Sequence, residues 1–275
     1  MGHRLVAPGA LSGVSVRCCG GMGKGEAVPA CTQPPTHCAD TGDGCAGRGR
    51  RAIVRGTVTH RRQGEGPLQL IFIAGTWGSG TTAMAAALAE LGVPALGPHL
   101  HTNDPATPNA FELLPFRDLV LRYTDEATLT IKPDVVAPFA RDLQAFAAEV
   151  AAGKHGAIVG ARPRFLLKMP LAGLALPYLT YFFDLSVILM HRPLEEVEMT
   201  RQRRGWPELY GLAGGRVLVN KTFGALMAIK KPFLGVSYEA LTQAPEASLA
   251  QVIDFCGLDD LSDNVARAAG VIRRA

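Results

Sequence analysis

Hydrophobic residues are sparse and unpatterned over the first 66 positions, and then fall into short blocks with two distinct rhythms. Leu68-Gln69-Leu70-Ile71-Phe72-Ile73-Ala74 is an almost continuous apolar run, the pattern of a strand buried on both faces. A glycine-rich turn follows it, and then Thr82 to Leu91 predicts a helix of Ala, Met and Leu, stopped by Gly92 and Pro94. The same alternation continues. It predicts helices over 109–123 and 137–152, a strand over 165–168, a helix over 171–181 and an apolar strand over 185–191. A helix over 194–204 opened by Pro193 and a strand over 233–238 complete it. In the 137–152 helix, Phe139, Leu143, Phe146 and Val150 fall on one side. Strands alternating with helices make an α/β domain over 67–275, a three-layer fold whose central, mostly parallel sheet is flanked by helices.

Residues 1–66 read differently. Gly, Pro, Arg, Ser, Thr and Cys dominate, and no periodic stretch is long enough to offset the entropy of ordering, so this segment is expected to be disordered and of low complexity. It holds five of the six cysteines, at spacings that fit no usual zinc module. With only Cys256 beyond it, the body reads as a reduced, cytoplasmic protein with no metal. The same segment carries nine Lys/Arg against four Asp/Glu, so the formal charge of +4 belongs to it and the remainder is close to neutral. A neutral body lacks the electrostatic footprint of a nucleic-acid binder. The apolar stretch 165–190 is broken by Lys168, Pro170, Pro177 and Asp184, which argues for two core elements and against a membrane span.

The turn between the first strand and helix is Gly75-Thr76-Trp77-Gly78-Ser79-Gly80-Thr81-Thr82. Strand, glycine turn and helix in this order form a P-loop. Backbone amides of such a turn converge on an anion and the helix N-terminus adds partial positive charge, while the hydroxyls of Ser79, Thr81 and Thr82 can donate further. The spacing from Gly75 to Gly80 is that of an ATP- or GTP-binding loop, yet Thr81 stands where such loops place lysine. Without that lysine, and with no acidic residue recommending itself as a magnesium ligand, a P-loop kinase or NTPase is the weaker alternative.

Gly-x-x-x-Ser-Gly-Thr-Thr after a first strand resembles the phosphosulfate loop of sulfotransferases that use 3′-phosphoadenosine 5′-phosphosulfate (PAPS), the bacterial members most of all. Lys168-Met169-Pro170 is similar to the family's lysine-bearing strand end. The run Val187 to Leu194, with Thr200 eight residues beyond Arg192, is similar to its 3′-phosphate segment. Val236-Ser237-Tyr238-Glu239-Ala240-Leu241, followed by Phe255-Cys256-Gly257-Leu258, resembles its closing stretch. The resemblance implies sulfuryl transfer from PAPS to a hydroxyl or amine of a small-molecule or glycan acceptor, with no metal required. It implies that Gly75, Gly78, Ser79, Gly80, Thr81 and Thr82 hold the 5′ end of the donor, Arg192 and Thr200 its 3′-phosphate, and Tyr238 its adenine. Lys168 is expected to stabilise the leaving oxygen and Glu112 to act as base, with His99 and His101 as alternative bases. The family usually carries Lys or Arg just before Ser-Gly-Thr, where this chain has Gly78. A charge-assisted hydrogen bond contributes about 1.5 to 3 kcal/mol, so an enzyme slower by roughly ten- to a hundred-fold, or a protein that binds the nucleotide with little transfer, is the second alternative. The histidine base of the animal cytosolic branch falls at Pro170.

Overall fold

The computed structural model describes residues 68–105, 107–158 and 162–272; the expectations for residues 1–66 and their cysteines lie outside the described residues. In chain order the strands and α-helices are β1 (Gln69–Ala74), α1 (Thr81–Leu91), β2 (His99–His101), β3 (Asn109–Leu113), α2 (Leu114–Tyr123), β4 (Thr124–Asp125), β5 (Thr130–Ile131) and α3 (Val136–Ala151). There follow β6 (Arg164–Lys168), α4 (Leu176–Leu179), β7 (Asp184–His191), α5 (Leu194–Arg204), α6 (Leu212–Ile229), β8 (Phe233–Ser237), α7 (Tyr238–Gln243), α8 (Pro245–Cys256) and α9 (Val265–Gly270). Among the described residues no helix is long and apolar enough to cross a membrane.

Four strands form a parallel sheet in the order β6-β1-β7-β8. Side chains alternate across a strand, so the apolar run of β1 feeds two cores. Leu70, Phe72 and Ala74 pack with Phe139 and Leu143 of α3 and Leu218 and Leu226 of α6. Ile71 and Ile73 pack with Met84 and Leu88 of α1 and Leu249 and Val252 of α8. The three layers expected from the alternation are therefore present. Because the strands are parallel, the segments leaving β1, β6, β7 and β8 all emerge at one edge. The chain also passes from one side of β1 to the other between β6 and β7, which is where open α/β sheets place ligands.

Two expectations need correction, and one helix lies outside them. The helix expected over 109–123 begins only at Leu114; residues 109–113 form β3, antiparallel to β2. The Asn109 side chain accepts a hydrogen bond from the Phe111 amide at 2.7 Å, and Phe111 sits at φ 55°, a backbone state no helix contains. The helix expected over 171–181 is a 3₁₀ turn over Pro170–Ala175 followed by the single turn α4. Pro177 has no N–H to donate to Gly173, which ends any continuous ladder. Finally, the 18-residue α6 was not anticipated. Gly214, Gly215 and Gly224 with Val217 and Val219 give it weak intrinsic propensity. Leu218, Thr222 and Leu226 are buried at four-residue intervals, so packing supplies what propensity does not.

Candidate active site

The turn from Gly75 to Thr82 leaves β1 at the sheet edge and ends in α1. Gly80 caps that helix in the left-handed region, at φ 92°, and a β-carbon there would run into the Tyr238 ring. We predict that Gly80→Ala lowers the unfolding free energy by about 1 to 3 kcal/mol, measured by urea denaturation, because it adds backbone strain to a steric conflict. Ser79 is buried and its hydroxyl donates to the Thr76 carbonyl at 2.7 Å, so its one hydrogen braces the turn. Thr81 is buried and Thr82 is half-exposed in the first helical turn. Gly78 also sits in the left-handed region, at φ 73°, with Thr200 and Trp206 at ordinary contact distance from where a β-carbon would be. A long cation is thus disfavoured there by the backbone.

Arg192, the first residue beyond β7, reaches back across the turn. Its Nη1 donates to Thr200 Oγ1 at 3.3 Å and to the Gly78 carbonyl at 3.4 Å, and its Nε to Glu196 at 2.8 Å. Its guanidinium lies 4.6 Å from the centre of the Tyr238 ring. Thr200 is buried on α5, where its hydroxyl donates to the Glu196 carbonyl at 2.9 Å while accepting from Arg192. Tyr238 opens α7, whose first turn is capped by Ser237 Oγ accepting from the Ala240 amide at 3.0 Å. The turn, Arg192, Thr200 and Tyr238 therefore meet in one place.

At the end of β6, Lys168 is almost enclosed and donates to Glu112 at 3.0 Å; the two side chains are 6% and 12% exposed. Arg117 of α2 approaches the other carboxylate oxygen at 3.6 Å. Glu112 lies on β3 directly after Phe111, so the strained residue sets the direction in which the carboxylate leaves the hairpin. His99 is held by Asn109 at 3.1 Å, with its ring 5.4 Å from that of Phe111, and burial lowers its pKa. His101 is exposed on β2. The site thus joins Glu112 to Lys168 and leaves the two histidines in the hairpin that supports them.

A group not singled out in the sequence borders this site. Trp77, inside the turn, stacks on Tyr210 with ring centres 4.3 Å apart and planes 16° from parallel. Trp206 meets Tyr210 edge-on at 6.4 Å, and Arg204 covers Trp206 at 4.8 Å while pairing with Asp104 at 2.7 Å. The Tyr210 hydroxyl is raised above the ordinary phenol range, chiefly by burial and then by the charge of Glu126, with Arg117 opposing and Glu112 adding. The available signal was that the chain has only two tryptophans and that one of them, Trp77, stands inside the glycine turn.

The segment carrying Trp206 and Tyr210 is fixed by Glu198. One oxygen of Glu198 accepts from the Leu212 amide at the start of α6 at 3.0 Å, and the other accepts from Arg201 at 2.7 and 2.9 Å. The Arg201 bonds, followed by the Leu212 amide, hold the Glu198 carboxyl at about 2, below the usual 4.5. A lowered folded value gives stability that is complete above pH 4.5 and lost as pH falls toward 2. We predict that Glu198→Gln lowers the melting temperature at pH 7, and that the gap to the parent narrows between pH 4.5 and 2 in thermal melts.

A parallel α/β sheet with a glycine-rich turn between its first strand and helix, at the switch point, defines the class as a P-loop-like protein. The chain belongs to the sulfotransferase family, whose pattern matches residues 69–263. No curated protein sequence matches it. Among solved structures it is similar to the sulfotransferase domain of the Synechococcus PCC 7002 olefin synthase, with 20% identity and a TM-score of 0.45 over 72% of this chain and 76% of that one. It is also similar to sulfotransferase STF9 from Mycobacterium avium, with 13% identity and a TM-score of 0.42 over 77% of this chain and 69% of that one. A retinol dehydratase solved with androsterone and the inactive cofactor PAP gives 16% identity and 0.32 over 76% and 72%.

Proposed function

We propose that this chain transfers a sulfuryl group from PAPS to a hydroxyl of a small-molecule acceptor. The observation that carries this reading is the meeting of Arg192, Thr200 and Tyr238 on the Gly75–Thr82 turn, beside the enclosed Lys168–Glu112 pair. Amides and a helix N-terminus suit a 5′-phosphosulfate, a planar guanidinium suits a 3′-phosphate, and a tyrosine ring suits a purine face. The donor set therefore fits the group.

When bound, PAPS supplies the sulfuryl group: a bond from the acceptor oxygen to sulfur forms as the bond from sulfur to the 5′-phosphate oxygen breaks. Glu112 takes the acceptor's proton. Once neutral, its carboxyl holds the Lys168 ammonium less strongly, and that ammonium is released to the charge growing on the departing oxygen. Arg117 holds the second oxygen of Glu112 and keeps the carboxylate oriented before transfer. The turn amides share the leaving charge with Lys168, which allows the chemistry to proceed without a cation at position 78.

Transfer of labelled sulfate from PAPS to a panel of hydroxyl acceptors tests the proposal. Activity that needs both PAPS and Glu112 supports it. Nucleotide binding with no transfer to any acceptor would instead favour a binding protein, the reading that Gly78 motivates.

A further inference from the structure

The solvent face of α6 is apolar, like its buried one. Val217, Val219, Phe223 and Met227 are exposed there, Phe223 at 46% and Met227 at 58%, and the other exposed positions of the helix are Ala, Gly, Arg216 and Asn220. A helix that packs only against its own domain ordinarily turns charged residues outward, as α8 does with Glu246 and Asp254. A helix apolar on all sides is one that something covers on all sides. The charge around α6 is one-sided as well. No Asp or Glu occurs between Glu208 and Glu239, while Arg216, Lys221, Lys230 and Lys231 do. Lys221 donates to the Thr128 carbonyl at 2.7 Å and Lys231 to Asp184 at 3.0 Å. Among the described residues Arg216 and Lys230, both exposed, enter no ion pair.

We propose that α6 rests on an anionic lipid bilayer, with Val219, Phe223 and Met227 entering the acyl boundary and Arg216 and Lys230 meeting the headgroups. Because α6 is not long and apolar enough to cross a membrane, it lies in the plane of the surface. Charge decides between the occupants. A second copy laid antiparallel on α6 about Phe223 would set Arg216 against Lys230, two like charges, since both lie equally far from Phe223 along the chain. Residues 1–66 carry nine Lys/Arg against four Asp/Glu, and so share the sign of the face they would have to cover. An anionic surface complements it. A protein partner is matched through polar groups on both sides, and the apolar stripe offers only Arg216 and Asn220. A bilayer requires no such match, only apolar side chains with cations at headgroup depth.

Co-sedimentation of the full chain with vesicles of phosphatidylcholine and phosphatidylserine in equal parts, and with vesicles of phosphatidylcholine alone, tests this. We expect the mixed vesicles to be bound tighter by roughly ten-fold or more, the yield of two cations at an anionic surface, and Arg216→Gln with Lys230→Gln to remove that preference. Val219→Ser with Met227→Ser should weaken binding to the mixed vesicles by roughly ten- to a hundred-fold. Both side chains are exposed in the free protein, so the melting temperature and PAP affinity of that variant should match the parent. Phe223 is left in place because its ring meets that of Phe233 edge-on at 5.9 Å. No sedimentation with the mixed vesicles overturns the proposal and leaves the face to a protein partner. Binding that persists in the Val219→Ser, Met227→Ser variant also overturns it and assigns the attachment to the basic residues before position 67. A parent that runs as a dimer in light scattering, with the serine variant a monomer, overturns it in favour of a second copy.

Discussion

Glu112→Gln should lower kcat by about 10²- to 10⁴-fold, the contribution of a positioned general base, while the affinity for PAP stays within about two-fold. The separation follows from the geometry. Glu112 contacts Lys168 and Arg117, whereas the contacts around the turn are made by Arg192, Thr200 and Tyr238. Glutamine is the informative replacement because its carbonyl can still accept from Lys168. Alanine leaves a nearly enclosed ammonium without its partner, and breaking such a pair costs about 3 to 5 kcal/mol, so its loss of activity would be mixed with loss of fold. Steady-state kinetics alongside thermal melts of the two variants distinguish these effects. A glutamine variant with unchanged kcat would assign the base elsewhere.

Arg192→Ala should weaken PAP binding by about ten- to a hundred-fold, since one or two charge-assisted hydrogen bonds are removed. Its Nε is occupied by Glu196 and its Nη1 by Thr200 and the Gly78 carbonyl, so the fork is aimed along the turn before any ligand arrives. Arg192→Lys should recover little, because a single ammonium cannot hold Glu196, Thr200 and a phosphate in one plane. Titration of both variants by calorimetry checks this, and PAP affinity unchanged in Arg192→Ala would place the phosphate elsewhere.

The features legible in the sequence were those written locally. The apolar run of β1, the glycine turn and the helix after it carry their own signals, as does Pro193 at the head of α5. The order of these segments was enough to expect a mostly parallel sheet flanked by helices. What escaped depends on contacts between distant residues. Glu112 was expected near a helix start, but the Asn109 side chain and the left-handed Phe111 turn the segment into a strand. α6 is weak in propensity and forms through packing, so no window of sequence announced it. The Trp77–Tyr210 stack joins residues 133 positions apart, and Lys168 meets Glu112 across 56. Neither pairing could be read until the sheet had been assembled.

The central claim is that the turn after β1 and the guanidinium after β7 together hold a bisphosphorylated adenosine. Calorimetric titration of the full chain with PAP, with and without magnesium, and with ATP plus magnesium, tests it most directly. The account predicts one PAP bound per chain, unaffected by magnesium, and much weaker binding of ATP. Binding of ATP only with magnesium, with no heat from PAP, would contradict it.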